Sequence, residues 1–386
     1  MSPIKLAGFD NLSFPSPEFL PEGYVRLPWR SIFQETKISP GKLVIQDSIG
    51  NYIPAQVFQV DRDDPSHDFL IISLRDTPSR LEEVSRVIKS LSLKEGEVIT
   101  QNRGFPRLEV ILGPNSQARG VKLASGKLSI WFNLIPAPED YENDWNWYSG
   151  SATSVLLNNQ EMLEYFTNDY VSTTAQPYWM RHDPQKRCMQ VDKIRVRDDI
   201  HTTWSEPYNL FDQPYELISH SIGSVGVSIT IASTPFSYGT GSQYRLYRIL
   251  SLFKDSDYLL ERLFVRKTNI KPETIAKNDY LEFKAHYFTF MDLHFWPIPM
   301  EFSSHKGFAM VSCMPPYPAY GFMCNTEQNV NRPTEDFPEW PNKYKTFSWE
   351  LSGCQSAECM HRLAFTFDNT LPELFSKENQ WQALPW

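Results

Sequence analysis

The stretch "SVGVSITIASTPFSYGTGSQYRLYRILSLFKDSDYLLERLFVRK", residues 224–267, decides the fold. It holds three β-branched and aromatic runs, 224–232, 243–253 and 257–267, each too short and too poorly periodic for an amphipathic helix. Lys254-Asp255-Ser256-Asp257 separates the last two with turn residues, which predicts an antiparallel hairpin. "FSYGTGSQY" carries Gly239-x-Gly241 but no phosphate-binding fingerprint and no following helix, so it reads as a hairpin loop.

The same texture extends in both directions. Upstream lie "KLSIWFNL" (127–134) and "QVDKIRVR" (190–197), and downstream "LEFKAHYFTF" (281–290), all strand-like. Nearer the N-terminus, "GKLVIQD" (41–47), "YIPAQVFQV" (52–60), "DFLIISLR" (68–75) and "RLEVIL" (107–112) are strands divided by Gly, Pro and Asp turns. One segment breaks the pattern. In "TPSRLEEVSRVIKSLSLKEG" (77–96), Leu81, Val84, Ile88 and Leu91 recur at helical spacing, and Ser79-x-x-Glu82 has the form of a capping box. A single helix ending near Gly96 is expected there. Strands do not alternate with helices, which excludes a parallel α/β architecture. No fixed period appears, which argues against a propeller or solenoid.

The expected fold class is therefore all-β: a small N-terminal β-sandwich with one helix, then a large antiparallel supersandwich. Residues 1–23, with four prolines, read as an extended arm. The small domain is placed at 24–112 and the large one at 113–386, with Gly113-Pro114-Asn115 between them.

The chain of 386 residues is 41% hydrophobic, 22% charged and 14% aromatic, with 11 Trp, 29 Pro and 17 Gly. A length of that order supports a sizeable core without staples. The net charge of −9 leaves no basic excess to neutralise phosphates, which argues against a nucleic-acid partner. Five cysteines (Cys188, Cys313, Cys324, Cys354, Cys359) form no Cys-x-x-Cys and suit free buried thiols in a reducing compartment. The first residues show no apolar signal-peptide core, and no stretch has the length of a membrane span, so a cytoplasmic protein with no membrane partner is expected.

Two segments carry a family resemblance. "LVIQDSIGNYIPAQVFQVDRDDPSHDFLIISLRD" resembles the small β-sandwich that precedes the large C-terminal β module of α-mannosidase-type enzymes. Its turn-and-strand signature appears here as Asp47, Ser48, Ile49, Gly50 and Asn51, followed by Pro54-Ala55-Gln56-Val57. "ISHSIGSVGVSITIASTPF", continuing through "YRLYRILSLFKDSDYLLERLFV", is similar to a strand trio of galactose-mutarotase-like supersandwiches. The resemblance implies the fold. It transfers no catalytic residues, because the metal-dependent barrel of the mannosidases has no counterpart in the sequence.

A sugar site needs an aromatic platform, polar groups for the hydroxyls and a titratable group. Three clusters meet part of that need. The first is "ENDWNWYSG", in which Trp145 and Trp147 can stack on a ring, Asn146 can bind hydroxyls and Tyr148 can move a proton. Ser149-Gly150-Ser151 then turns the chain into "SATSVLLN", read as scaffold. The same aromatics can equally close an open sandwich end.

The second cluster is Arg181-His182-Asp183-Pro184, followed by a strand whose alternation puts Lys193, Arg195 and Arg197 on one face. Such a face can receive an anionic sugar, or it can simply be solvated. In the third, "LEFKAHYFTFMDLHFWPIPM", Glu282, Lys284, His286, Phe288 and Phe290 alternate onto one face, with His294 and Trp296 beyond. His182, His286, Tyr148 and Glu282 are thus the candidate acid–base residues. Trp145, Trp147, Asn146, Arg181, Lys284 and Trp296 are the candidate substrate contacts.

No zinc, EF-hand, Gly-x-Ser-x-Gly or nucleotide motif appears, so no metal or cofactor is expected. Three functions stay open from sequence. They are a carbohydrate-active acid–base enzyme (epimerase, lyase or hydrolase), a non-catalytic carbohydrate-binding module, and a cyclase or isomerase of an apolar metabolite in an aromatic-lined cavity. In each case the partner is a small molecule or oligosaccharide.

Overall fold

The computed structural model describes residues 23–29, 39–47, 49–60, 68–75, 106–113, 116–135, 149–150, 152–159, 208–210, 213–237 and 243–263 with few gaps, and only the backbone of further strands. The chain is all-β, and the described strands form five antiparallel sheets.

The opening stretch builds the middle of the longest sheet. Strands Gly226–Ser233, Ser242–Phe253 and Tyr258–Lys267 lie side by side, paired as Ile229 with Leu250 and Leu250 with Glu261. Asp255, at φ 58, turns the hairpin between the last two, and the Ser256 amide donates to the Phe253 carbonyl. Tyr215–Ile222 extends this sheet on one side, and Glu358–Thr366, Ala319–Cys324, Phe308–Cys313 and Met300–His305 extend it on the other.

Both faces of this middle trio are covered. On one face Ala232, Tyr247, Ile249, Phe253, Tyr258 and Leu260 share a core with Tyr24, Phe58, Val60, Phe69 and Ile71 of the N-terminal strands. Tyr24 stacks on Phe253 at 4.6 Å between centroids, and Arg262 sits 5.2 Å above the Phe69 ring. The opposite face meets the five-stranded sheet that contains Arg107–Leu112, Ala118–Ala124, Leu128–Asn133 and Ala152–Leu157. There Ser125 Oγ donates to the Ser256 carbonyl, and the Asp255 amide donates to the Ser125 carbonyl.

The two segments that carry the family resemblance meet each other. Gln56 Oε1 accepts the amides of Val225 and Gly226, in the tight turn that joins Tyr215–Ile222 to Gly226–Ser233. Ser219 Oγ donates to the carbonyls of Gln59 and Val60, and Ser221 Oγ accepts the Gln59 amide. A Cβ at Gly223 would stand 2.5 Å from Gln56 Oε1, so only glycine lets the glutamine reach the turn. The signature glutamine is therefore a clamp between the N-terminal strands and the long sheet.

Arg107–Leu112, which ends at the expected division, pairs antiparallel with Ala118–Ala124 beyond it. The arm contributes Ile4–Lys5 and Glu18–Leu20 to two sheets. The expected helix requires correction at its C-terminal end. Ser92–Glu95 is a strand paired with Leu43–Gln46, because an open strand edge offers its backbone groups partners that outweigh local propensity. Residues 77–91, which carry the helical spacing, lie outside the described residues, as do the side chains of all five cysteines.

Asp47 closes the turn that follows Leu43–Gln46: Oδ1 accepts the amides of Ile49 and Asn51, and Oδ2 accepts Asn51 Nδ2. Desolvation pushes this carboxyl up, but the Asn51, Ile49 and Gly50 donors outweigh it and hold it below its ordinary value.

Two outcomes follow from these contacts. Gly223→Ala is expected to destabilise the chain by about 1–3 kcal/mol in urea unfolding, through amides left without their acceptor. The cost should shrink when Gln56→Ala is also present, as measured in a double-mutant cycle. The Asp47 turn contributes its stability fully above the unfolded pKa of about 3.9. It loses that contribution as pH falls through the lower folded value, so Asp47→Ala should flatten the acid limb of the stability profile.

Candidate functional site

One of the three four-stranded sheets pairs the strand that follows the second sequence cluster with the strand of the third. Its order is Tyr208–Asn209, Gln190–Asp198, Leu281–Phe288, Glu350–Leu351. Arg197 pairs with Glu282, Arg195 with Lys284 and Lys193 with His286. Lys193 also pairs with Asn209, and His286 with Glu350. One transverse row of the sheet thus reads Asn209, Lys193, His286, Glu350.

Direct partners in an antiparallel ladder stand about 4.5–5.5 Å apart at Cα and share a face. By pleat parity all these polar residues fall on one face. The alternate positions pair Val196 with Phe283, Ile194 with Ala285 and Tyr208, Ala285 with Leu351, and Val191 with Tyr287. From Lys193 to Arg197 and from Glu282 to His286 the parities separate polar from apolar positions, while Asp198, paired with Leu281, falls on the apolar parity and Phe288 on that of His286. A bulge between Val191 and Lys193 inserts Asp192 beside the Lys193–His286 pair. Bulges bend a strand and re-aim neighbouring residues, and they are over-represented beside active sites.

Of the sequence candidates, Glu282, Lys284 and His286 are placed on this sheet. Lys193, Arg195 and Arg197 join them as register partners. Trp145, Asn146, Trp147, Tyr148, Arg181, His182 and Trp296 lie outside the described residues. Glu350 is the residue that sequence reasoning missed. It sits in a two-residue strand, too short to show a period, and only the pairing with His286 reveals it.

The foot of the aromatic stretch is described, and it is held by a buried ion pair. Ser149 and Gly150 are buried. The Gly150 amide donates to the Asn133 carbonyl at 2.7 Å, and the Gly150 carbonyl accepts from Arg248 Nη1. Arg248 Nε in turn donates to Glu261 Oε1 at 2.6 Å, with both side chains almost wholly buried. Gly150 has φ 71, and a Cβ there would stand 2.7 Å from the Tyr215 ring and 2.9 Å from Arg248 Nη1. The arginine thus fixes the turn at residues 149–150.

Among the described residues, no group of three or more His, Cys, Asp or Glu is placed to hold a metal ion, and no helix is long and apolar enough to cross a membrane.

No family model matches the sequence, and no curated protein matches it either. Solved structures of similar arrangement include a galactose 1-epimerase from Lactobacillus acidophilus, at 8% identity and a TM-score of 0.39, covering 68% of this chain and 98% of that one. An α-mannosidase from Enterococcus faecalis is 9% identical with a TM-score of 0.41, covering 96% of this chain and 43% of that one. A 4-α-glucanotransferase from Thermococcus litoralis is 11% identical with a TM-score of 0.35, covering 68% of this chain and 40% of that one. The chain spans less than half the length of the last two. No residue role passes from any of them to this chain.

Glu261→Ala leaves the Arg248 charge buried without its partner and is expected to cost about 3–5 kcal/mol in guanidinium unfolding. Arg248→Met combined with Glu261→Leu should recover most of that loss, since an apolar pair of similar volume avoids the desolvation cost.

Proposed function

We propose that the chain binds a saccharide, with an anionic sugar preferred, on the polar face of the four-stranded sheet, and transforms it by acid–base chemistry centred on His286. The observation that supports this is the register itself, which sets His286 between Lys193 and Glu350 with Arg195 and Lys284 two positions away. Imidazole has an unperturbed pKa of about 6.5, so it can take or give a proton near neutrality.

A carboxylate partner raises the basicity of such an imidazole and orients it, which is the role proposed for Glu350. Glu282 is the second carboxylate of the face and a candidate proton carrier. Lys193, Arg195 and Lys284 would neutralise a sugar carboxylate. In a uronate, that neutralisation acidifies the adjacent C–H and makes proton abstraction by His286 feasible. If a proton returns to the same carbon from the opposite face, the outcome is epimerisation; if the β C–O bond breaks to form the C=C bond and the departing oxygen takes a proton, the outcome is elimination. Trp145, Trp147 and Trp296 are proposed as stacking surfaces for the apolar face of the ring, with Asn146 and Arg181 on its hydroxyls and Tyr148 and His182 as further proton carriers.

The test is turnover of uronates and neutral aldoses followed by proton NMR, with solvent deuterium exchange as the direct readout of C–H abstraction. Wild type should exchange or eliminate a uronate. His286→Ala should lower the rate about 10²–10⁴-fold, the usual contribution of a general acid–base group. Lys284→Met should chiefly raise KM for the anionic sugar. Unchanged turnover in His286→Ala would remove the catalytic role. Sugar binding without any turnover in wild type would leave a binding module.

A further inference from the structure

A second cleft lies on the five-stranded sheet, far in sequence from the polar face just described. Its volume is about 250 Å³, and Arg107, Glu109, Lys122, Lys127, Ser129 and Asn159 are among its lining residues. Pairing explains the convergence. Lys122 is opposite Glu109, and Ala124 is opposite both Arg107 and Ser129, so these positions share one face of the sheet. Two turns form the rim. Gly126 and Lys127 lie in the turn that links Ala118–Ala124 to Leu128–Asn133. Asn158 and Asn159, at φ 51 and 65, form the next turn, with both residues left-handed as a type I′ hairpin requires. The Asn158 amide donates to the Lys127 carbonyl at 2.8 Å, which ties the two turns into one rigid edge.

Charge makes this cleft unusual for the molecule. The chain carries a net −9, yet the cleft gathers three cations and one carboxylate. Lys122, Lys127 and Glu109 take part in no ion pair among the described residues. The lining offers cations for one anionic group, and a carboxylate and an amide for neighbouring hydroxyls. The volume falls just below the usual range for small-molecule sites, which suits one ring rather than an oligomer.

We propose that this cleft is a separate binding site for a monosaccharide bearing one anionic group, either a phosphate or a carboxylate, with Lys122 and Lys127 on the anion. The site stands on the cleft alone and does not depend on chemistry at His286.

The experiment is calorimetric titration of the full chain with glucose 6-phosphate, glucuronate, glucose and inorganic phosphate. At least one of the two anionic sugars should bind tenfold or more tighter than glucose and tighter than inorganic phosphate, with affinity falling as salt rises. Preference between the two identifies which anion the site takes. Lys122→Met with Lys127→Met should weaken that binding at least tenfold. Ser129→Leu, which fills the cleft without changing charge, should do the same, and thermal unfolding of both variants confirms that they fold. Glucose binding as tightly as the anionic sugars, no binding of either anionic sugar, or full affinity in Ser129→Leu would overturn the proposal.

Discussion

Burial of both faces of the middle strands constrains everything else in the molecule. From Tyr244 to Phe253 almost every residue is buried, so the odd and even side chains each need a packed layer above them. Aromatic and aliphatic groups meet the N-terminal strands on one side through Phe253, Tyr247 and Ile249. On the other side the sequence supplies a charge, Arg248, and a charge in a dry layer persists only when paired and hydrogen-bonded. Glu261 and the Gly150 carbonyl supply that pairing. The long sheet can therefore be the central layer only because the turn at residues 149–150 returns to it.

The same constraint connects the layers to the candidate site. The turn at residues 149–150, which follows the aromatic stretch in the sequence, is held by Arg248 and so is set by the core. The polar sheet face is specified differently. It depends on pairing between strands distant in sequence, Gln190–Asp198 with Leu281–Phe288 and then with Glu350–Leu351. Its charges come from three separate segments, which only the pairing brings side by side.

Much of the fold was legible because local chemistry and global packing agree. The strand at 107–112 has the bounds read from its sequence, and the turn at 254–257 falls where Lys-Asp-Ser-Asp places it. Gln56 was visible as part of a signature but not as a clamp, because its partners are backbone amides far along the chain. The pairing of Arg248 was not legible in "YRLYRIL", since periodicity cannot tell a strand buried on both faces from one that is half exposed. The strand at Ser92–Glu95 was hidden by a helical spacing that stops short of it. In the site, Glu282, Lys284 and His286 were legible as one face from alternation, whereas Glu350 needed the pairing. The cleft at Lys122 and Lys127 was missed because its cations lie on different strands and in a turn, with no spacing that advertises them.

The core shared between the first strands and the long sheet also bears on how the chain is made. Residues 24–75 leave the ribosome roughly 180 residues before Phe253 and Tyr258, so at 5–20 residues per second their apolar face waits on the order of ten to forty seconds for its cover. During synthesis Phe58, Phe69 and Ile71 are a sticky surface rather than a core. A holding chaperone, or a slow passage in translation placed after residue 260, would act on that interval, and the finished sheet carries no trace of it.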